Sequence, residues 1–315
     1  MAMFLNSAVF KHTHPVTLQN DIKHNRMPNV TDSRNPIISD LQWALYSAHL
    51  PVPEQHQAWL WPNLKSAPLT ASQQLQLNAQ LIPYHQQRLG RYFEALIQAG
   101  LTHHPDWEVT LAGYTIADGQ RTLGEIDLVV THTETRELTH LELALKYYLR
   151  VDCPHCGHRC HWVGPSLKDC YEQKLHRLIS HQLPMGLHAE VTRQLSRPIR
   201  HQSIILKGRL FVPLNTYEDC TVGLNTGFWC SYDQLEKLKD YDACMPLLRS
   251  QWLSGPVDCD WQSLSDIKAH QKPTMMLLRS SGNRSTQWAM VVANDWLERA
   301  QQCCPGYELS LSPNR

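Results

Sequence analysis

Two short acidic runs, each embedded in apolar residues, are the part of the chain best equipped for chemistry. In GEIDLVV, residues 124–130, Glu125 and Asp127 alternate with Ile126 and Leu128. In HLELALK, residues 140–146, Glu142 and Lys146 alternate with Leu141, Leu143 and Leu145. Side chains alternate across a β-strand. The first run therefore predicts a strand with Ile126, Leu128 and Val130 on one face and Glu125 and Asp127 on the other. The second predicts one face of leucines and another bearing His140, Glu142, Ala144 and Lys146. If the two strands pair as a hairpin, Asp127 and Glu142 converge. Carboxylates held close repel, which raises a pKa unless a cation neutralises them. Hard oxygen ligands suit Mg²⁺ or Mn²⁺, with waters completing the octahedron. Lys146 would add positive charge near a developing oxyanion. The same pattern also describes an amphipathic hairpin with one wet face, and the spacing fits both readings.

The elements around these strands follow from periodicity. Residues from about Lys11 to Asn35 are polar and without period, which predicts a mobile arm over residues 1–36. Ile37 to Leu50 reads as a helix, and Ser72 to Leu81 as a second. Pro83 suits the first turn of a third, from Tyr84 to Gly100, with Leu89, Phe93, Leu96 and Ile97 on one face. Gly100 is placed to stop it. Three strands come next, around Trp107–Leu111, Leu123–Val130 and Leu138–Tyr147. An amphipathic helix with Leu167, Tyr171, Leu175, Leu178 and Ile179 follows, then a strand at Ser203–Pro213. Helix, three strands, helix, strand predicts an α/β domain whose mixed central sheet is flanked by helices, over residues 37–215. Residues 216–315 read as an α+β extension with a hairpin turning near Gly282 and a helix after Asn294 or Asp295. Trp229 and Trp288 there suit a core or base stacking.

The chain's 315 residues carry 29 basic and 29 acidic groups, so no overall charge advertises a polyanionic partner. Charge is uneven, however. From Ser166 to Arg209 eight Lys or Arg stand against three Asp or Glu. Lys174, Arg177, Lys207 and Arg209 in that segment are candidate phosphate contacts, and an ordinary solvated face is the competing account. No apolar run is long enough for a membrane span. The N-terminal MAMFLNSAVFKHTH lacks a basic lead and a cleavage site, so no signal peptide is expected. A cytoplasmic setting with reduced cysteines follows.

GEIDLVV together with HLELALK resembles the PD-(D/E)XK, restriction-endonuclease-like superfamily, and the element order resembles its αβββαβ core. The words RLGRYFEALI, GEIDLVV, LTHLELALKYYL, WVGP, HQLPM and LKGRLFVPL are also similar to a bacterial family catalogued as domain of unknown function 1853, placed in that superfamily. The likeness covers most of Tyr84 to Leu214 and, more faintly, the C-terminal part. It implies a metal-dependent nuclease, with Asp127 and Glu142 as metal ligands and Lys146 and Glu94 as catalytic groups. Glu94 matches an acid that some members carry on the first helix. The chain departs from the pattern at Ala144, where the superfamily has lysine. Lys146 lies two residues on, a displacement of roughly 6.6 Å along a strand, and Lys174 on the following helix is an alternative source of charge.

CPHCGHRCHW, residues 153–162, is crowded with Cys and His, and its CPHCG resembles a zinc knuckle. A tetrahedral Zn²⁺ site needs four ligands; Cys153, Cys156, Cys160 (or His161) and Cys170 are the candidates, with free thiols as the alternative. The leading expectation is Mg²⁺- or Mn²⁺-dependent cleavage of nucleic acid, DNA in preference to RNA. The alternative is a nuclease-fold protein without activity, serving as a nucleic-acid-binding or zinc-stabilised interaction module.

Overall fold

The computed structural model describes residues 35–57, 69–118, 121–153, 159–217, 225–235, 237–282 and 285–303. Residues 1–34 of the expected arm therefore lie outside the described residues, as do residues 154–158 of the Cys/His segment; Asn35 and Pro36, at the end of the expected arm, instead begin the first helix.

Three helices come first. Helix α1, Pro36–Tyr46, starts where Asn35 accepts hydrogen bonds from the N–H groups of Ile37 and Ile38, with Pro36 in its first turn. Helix α2, Ala71–His85, opens on a capping box between Thr70 and Gln73. Pro83 falls inside the last turn of α2, not at the start of the next helix as its sequence position suggested. Helix α3, Leu89–Thr102, buries Tyr92, Phe93, Leu96 and Ile97. It runs through Gly100. A Cβ at that position would come within 2.6 Å of Leu45, so the glycine admits close packing of α1 on α3 and does not stop the helix.

Strands β1 (Trp107–Asp118), β2 (Arg121–His132) and β3 (Leu138–Cys153) form an antiparallel meander. Strand β4, Arg159–Val163, folds back on the far end of β3. Helix α4, Tyr171–Arg177, continues through a π-helical turn at Leu178–Gln182 into the short α5, Leu183–Met185. After α6, Ala189–Leu195, strand β5, His201–Pro213, lies parallel to β3 along eleven residue pairs. The chain then adds β6 (Thr226–Ser231), α7 (Tyr232–Leu235), β7 (Tyr241–Pro246), β8 (Thr274–Ser280), β9 (Thr286–Val292) and α8 (Trp296–Gln302).

Among the described residues all nine strands belong to one mixed sheet, in the order β1-β2-β3-β5-β6-β9-β8-β7 with β4 on β3. The C-terminal strands extend the first sheet and do not make one of their own. Between β5 and β6 the pairing covers only Leu210–Pro213. Earlier along β5, the segment after α1 supplies partners: Leu50 N–H donates to the Leu206 carbonyl, and Gln57 bridges to Ile204.

Helices cover both faces. On one, Phe93, Leu96 and Ile97 of α3 pack with Leu128, Val130, Leu141, Leu143 and Ile205. On the other, Tyr171, Leu178 and Leu183 pack with Ala144, Tyr148, Ile204 and Leu206. Trp229 is buried in a third cluster with Trp252 and Trp296, so it is a core residue. Among the described residues no helix is long and apolar enough to cross a membrane.

Candidate functional site

The pairing of β2 with β3 ends at Leu128↔Leu141. Asp127 and Glu142 are the next residues on each strand, facing one another where the ladder stops. Alternation along β2 breaks at this point. Leu128 and Val130 pack under α3, whereas Ile126 packs with Val129 and Val191 on the opposite side. The expectation that Ile126, Leu128 and Val130 share a face is therefore corrected. The strands separate at Asp127, and its carboxylate occupies the gap: Oδ2 accepts the backbone N–H of Leu143 at 2.9 Å.

Glu142 is fully buried, and so is His140. The acid-bearing face of β3 is thus not a wet face. Both carboxylate oxygens of Glu142 have partners. His140 Nε2 lies 2.9 Å from Oε1, and Gln182 Nε2 donates to Oε2 at 2.7 Å. Gln182 in turn accepts the Lys174 ammonium on Oε1 at 2.9 Å, which fixes the orientation of the amide. Eight α-helical residues would separate Lys174 and Gln182 by ~12 Å along the axis and by about 80° around it. The π turn adds a residue to the winding and re-phases the helix. Gln182 then reaches Glu142 and Lys174 together.

Burial pushes the Asp127 carboxyl up to about 7, and the charge of Glu142 adds to it; the Leu143 N–H and Lys174 pull the other way. Glu94, on α3, is also raised, by burial first and then by Glu125 and Glu142, with Arg91 opposing. Burial lowers Lys174, and repulsion from Lys146 lowers it further, while Glu142 and Asp127 hold it up. Asp127, Glu142, Glu94 and Lys174 therefore share one electrostatic neighbourhood. Glu125 turns outward, 3.7 Å from Arg91.

Lys146 does not reach the carboxylates. Its Nζ lies 2.6 Å from Asp169 Oδ2, a partly exposed pair. Asp169 is presented by a tight loop in which Gly164 N–H donates to the Asp169 carbonyl and Leu167 has φ of 61°. Opposite Lys146 on β5 stands Gly208, with φ of 141°; a Cβ there would sit 1.6 Å from the Lys146 carbonyl oxygen, so only glycine fits.

Two of the four expected phosphate contacts are corrected. Lys207 and Arg209 are 1 % and 5 % exposed. Lys207 donates to the Ser47 carbonyl. Arg209 donates to the Leu253 carbonyl and stacks 3.6 Å from the Trp288 ring centre. They alternate onto the interior face of β5, where no phosphate can reach. Arg177 is exposed and Lys174 half-buried.

The zinc set is corrected in part. Cys153 pairs with Arg159, whereas Cys170 bridges to Val163, which pairs with Leu149. Four strand residues, roughly 13 Å, separate the two places. Cys153 is also buried among Trp229, Trp296 and Val292, so one ion cannot take both thiolates. Cys156 and the side chain of Cys160 lie outside the described residues. Among the described residues no three His, Cys, Asp or Glu side chains form a metal-ligating group. An ion at the β2–β3 gap would rest on two carboxylates, a number that suits Mg²⁺, which keeps several of its waters.

His140, Asp169 and Gln182 were missed from sequence. His140 had a signal, since it lies two residues before Glu142 on the same strand face. Gln182 had none, because its placement depends on the π turn.

No curated protein and no solved structure matches the chain. Residues 39–303 match the profile described as Domain of unknown function (DUF1853). The match spans most of the chain and takes in both strands of the carboxylate pair, α3 and the α4–α5 helix. The chain is a member of the DUF1853 family.

Proposed function

We propose that this protein is a divalent-metal-dependent phosphodiesterase acting on nucleic acid, DNA in preference to RNA, built on a restriction-endonuclease-like core. One observation carries the reading. Asp127 and Glu142 meet at the point where two strands part, and burial, with repulsion from Glu142 added to it, holds Asp127 near 7. Burying two carboxylates side by side is costly unless a cation joins them. The core reading is supported by the order of α3, the β1–β2–β3 meander, α4 and a β5 parallel to β3.

Mg²⁺ or Mn²⁺ would supply Lewis acidity at a phosphoryl oxygen and a more acidic water. Asp127 and Glu142 are the residues that would hold it. The Leu143 N–H and the His140 and Gln182 side chains orient these carboxylates. Lys174 places the positive charge that Lys146, tied to Asp169, does not. Glu94 adds a third carboxylate at the rim, available to take a proton from water. Exposed Arg177 is the remaining phosphate contact from the basic segment. Buried unpaired thiols such as Cys230 and Cys244 suit a reducing, cytoplasmic setting.

A second reading is favoured by the Lys146–Asp169 pair: a nuclease fold that binds nucleic acid without cutting it. The test is a panel of single-stranded, duplex and branched substrates with Mg²⁺ and Mn²⁺. Cleavage supports the enzyme; salt-sensitive binding without cleavage supports the binding module.

A further inference from the structure

We infer that His140 is a positioning residue that fixes the plane of the Glu142 carboxylate for an incoming divalent cation, and that Gly186 exists to let the ring be clamped. The inference rests on the metal reading of Asp127 and Glu142.

A fully buried imidazole must be explained, because burying a polar ring costs free energy unless it is hydrogen-bonded. Among the described residues His140 has one partner, Glu142 Oε1 at 2.9 Å, and its buried Nδ1 has none. A carboxylate oxygen only accepts. Nε2 therefore carries a proton and donates it to Glu142. The ring cannot rotate away. On the helix side, a Cβ built at Gly186 would lie 2.5 Å from His140 Nδ1 and 3.1 Å from Cγ. On the sheet side, Gln202 stands opposite on β5 and donates from Nε2 to the Leu183 carbonyl, tying the end of α5 to the strand. His140 is thus boxed between β5 and the turn after α5.

Glu142 is gripped from two directions, by His140 on Oε1 and by Gln182 on Oε2. Each oxygen keeps a further lone pair. The grip leaves acceptor capacity while removing rotation about the carboxylate bond. Partners one shell out commonly change metal affinity 10–100-fold when lost. Two changes should therefore have the same effect by different routes. His140→Ala removes the donor. Gly186→Ala removes no polar group, but its Cβ would crowd His140 Nδ1 at 2.5 Å and Gln202 Nε2 at 3.0 Å, which pushes the ring and the wall of its box apart.

The experiment is Mn²⁺ binding, followed by the loss of free-ion EPR signal on titration, for the full chain and three variants, with thermal unfolding of each without metal. Wild type should bind Mn²⁺. His140→Ala and Gly186→Ala should each weaken binding about 10-fold or more, and His140→Gln, which retains an N–H donor, should recover part of the loss. Should His140→Ala fail to fold, Gly186→Ala and His140→Gln still decide. Wild-type binding with unchanged affinity in folded Gly186→Ala and His140→Ala overturns the clamp alone. Wild type that binds no Mn²⁺ overturns the metal reading, and the clamp with it.

Discussion

Asp127 accepts the backbone N–H of Leu143 at 2.9 Å, one residue beyond the last β2–β3 pair. A side chain has taken over a donor that a longer ladder would give to backbone. The carboxylate is thereby held in the gap between the strands, beside Glu142. This places a charge where a regular hairpin would have none.

Metal-free stability should register that charge. The folded Asp127 sits near 7, above its ordinary value of 3.8. Between those values the folded state holds more protons than the unfolded one, so stability falls as pH rises through the window. Asp127→Asn should remove that slope and raise stability at pH 8, by as much as ~4 kcal/mol at 1.36 kcal/mol per unit. Urea melts at pH 4 and pH 8 check it. Equal slopes for variant and wild type would contradict the assignment.

The two lysines should separate kinetically. Lys174→Met removes the charge linked to Glu142 through Gln182 and should lower kcat 100-fold or more, on the order of 3 kcal/mol. Lys146→Met breaks only a partly exposed pair with Asp169, worth about 0–1 kcal/mol of stability. Its effect on kcat should be under roughly tenfold. The reverse ranking would return the catalytic charge to Lys146.

Lys207 should govern stability on the alkaline side. Burial brings its pKa from 10.5 to about 7. The unfolded chain therefore holds the extra proton between those values, and stability rises with pH across them. His49, pushed to about 3 by burial and by the Lys207 charge, stays neutral throughout. Lys207→Met should flatten the rise and stabilise the protein at pH 6 by roughly 1–3 kcal/mol, the gain being reduced by the orphaned Ser47 carbonyl. Denaturant titrations at pH 6 and pH 10 read both effects.

Surface charge should behave differently. Arg177→Gln should weaken nucleic-acid binding at every sequence and reduce the slope of log affinity against log salt by about one. Fluorescence anisotropy at several salt concentrations measures it. An unchanged slope would remove Arg177 from the interface.

The sequence made much of this visible and concealed specific parts. Strict alternation around Glu142 was enough to assign β3 and its two faces. It failed at Asp127, because alternation assumes a continuous ladder and the ladder ends there. Charge alone placed Lys207 and Arg209 on a basic surface. Their odd-numbered positions share the face of Ile205, a core residue, and that parity was the overlooked signal. Local propensity makes Pro83 and Gly100 look like helix punctuation, yet α2 runs through the first and the second serves the contact of α1 with α3. Gln182 was out of reach, since no local pattern announces a π turn that re-phases a helix.

The central claim is tested most directly by single-turnover cleavage of labelled DNA by wild type, Asp127→Asn and Glu142→Gln, each with Mg²⁺, with Mn²⁺ and with chelator. The account predicts cleavage by wild type with either ion, none with chelator, and loss below detection in both variants, which remain folded. Cleavage that persists in folded Asp127→Asn or Glu142→Gln, or wild type that cuts no substrate with either ion, would contradict it.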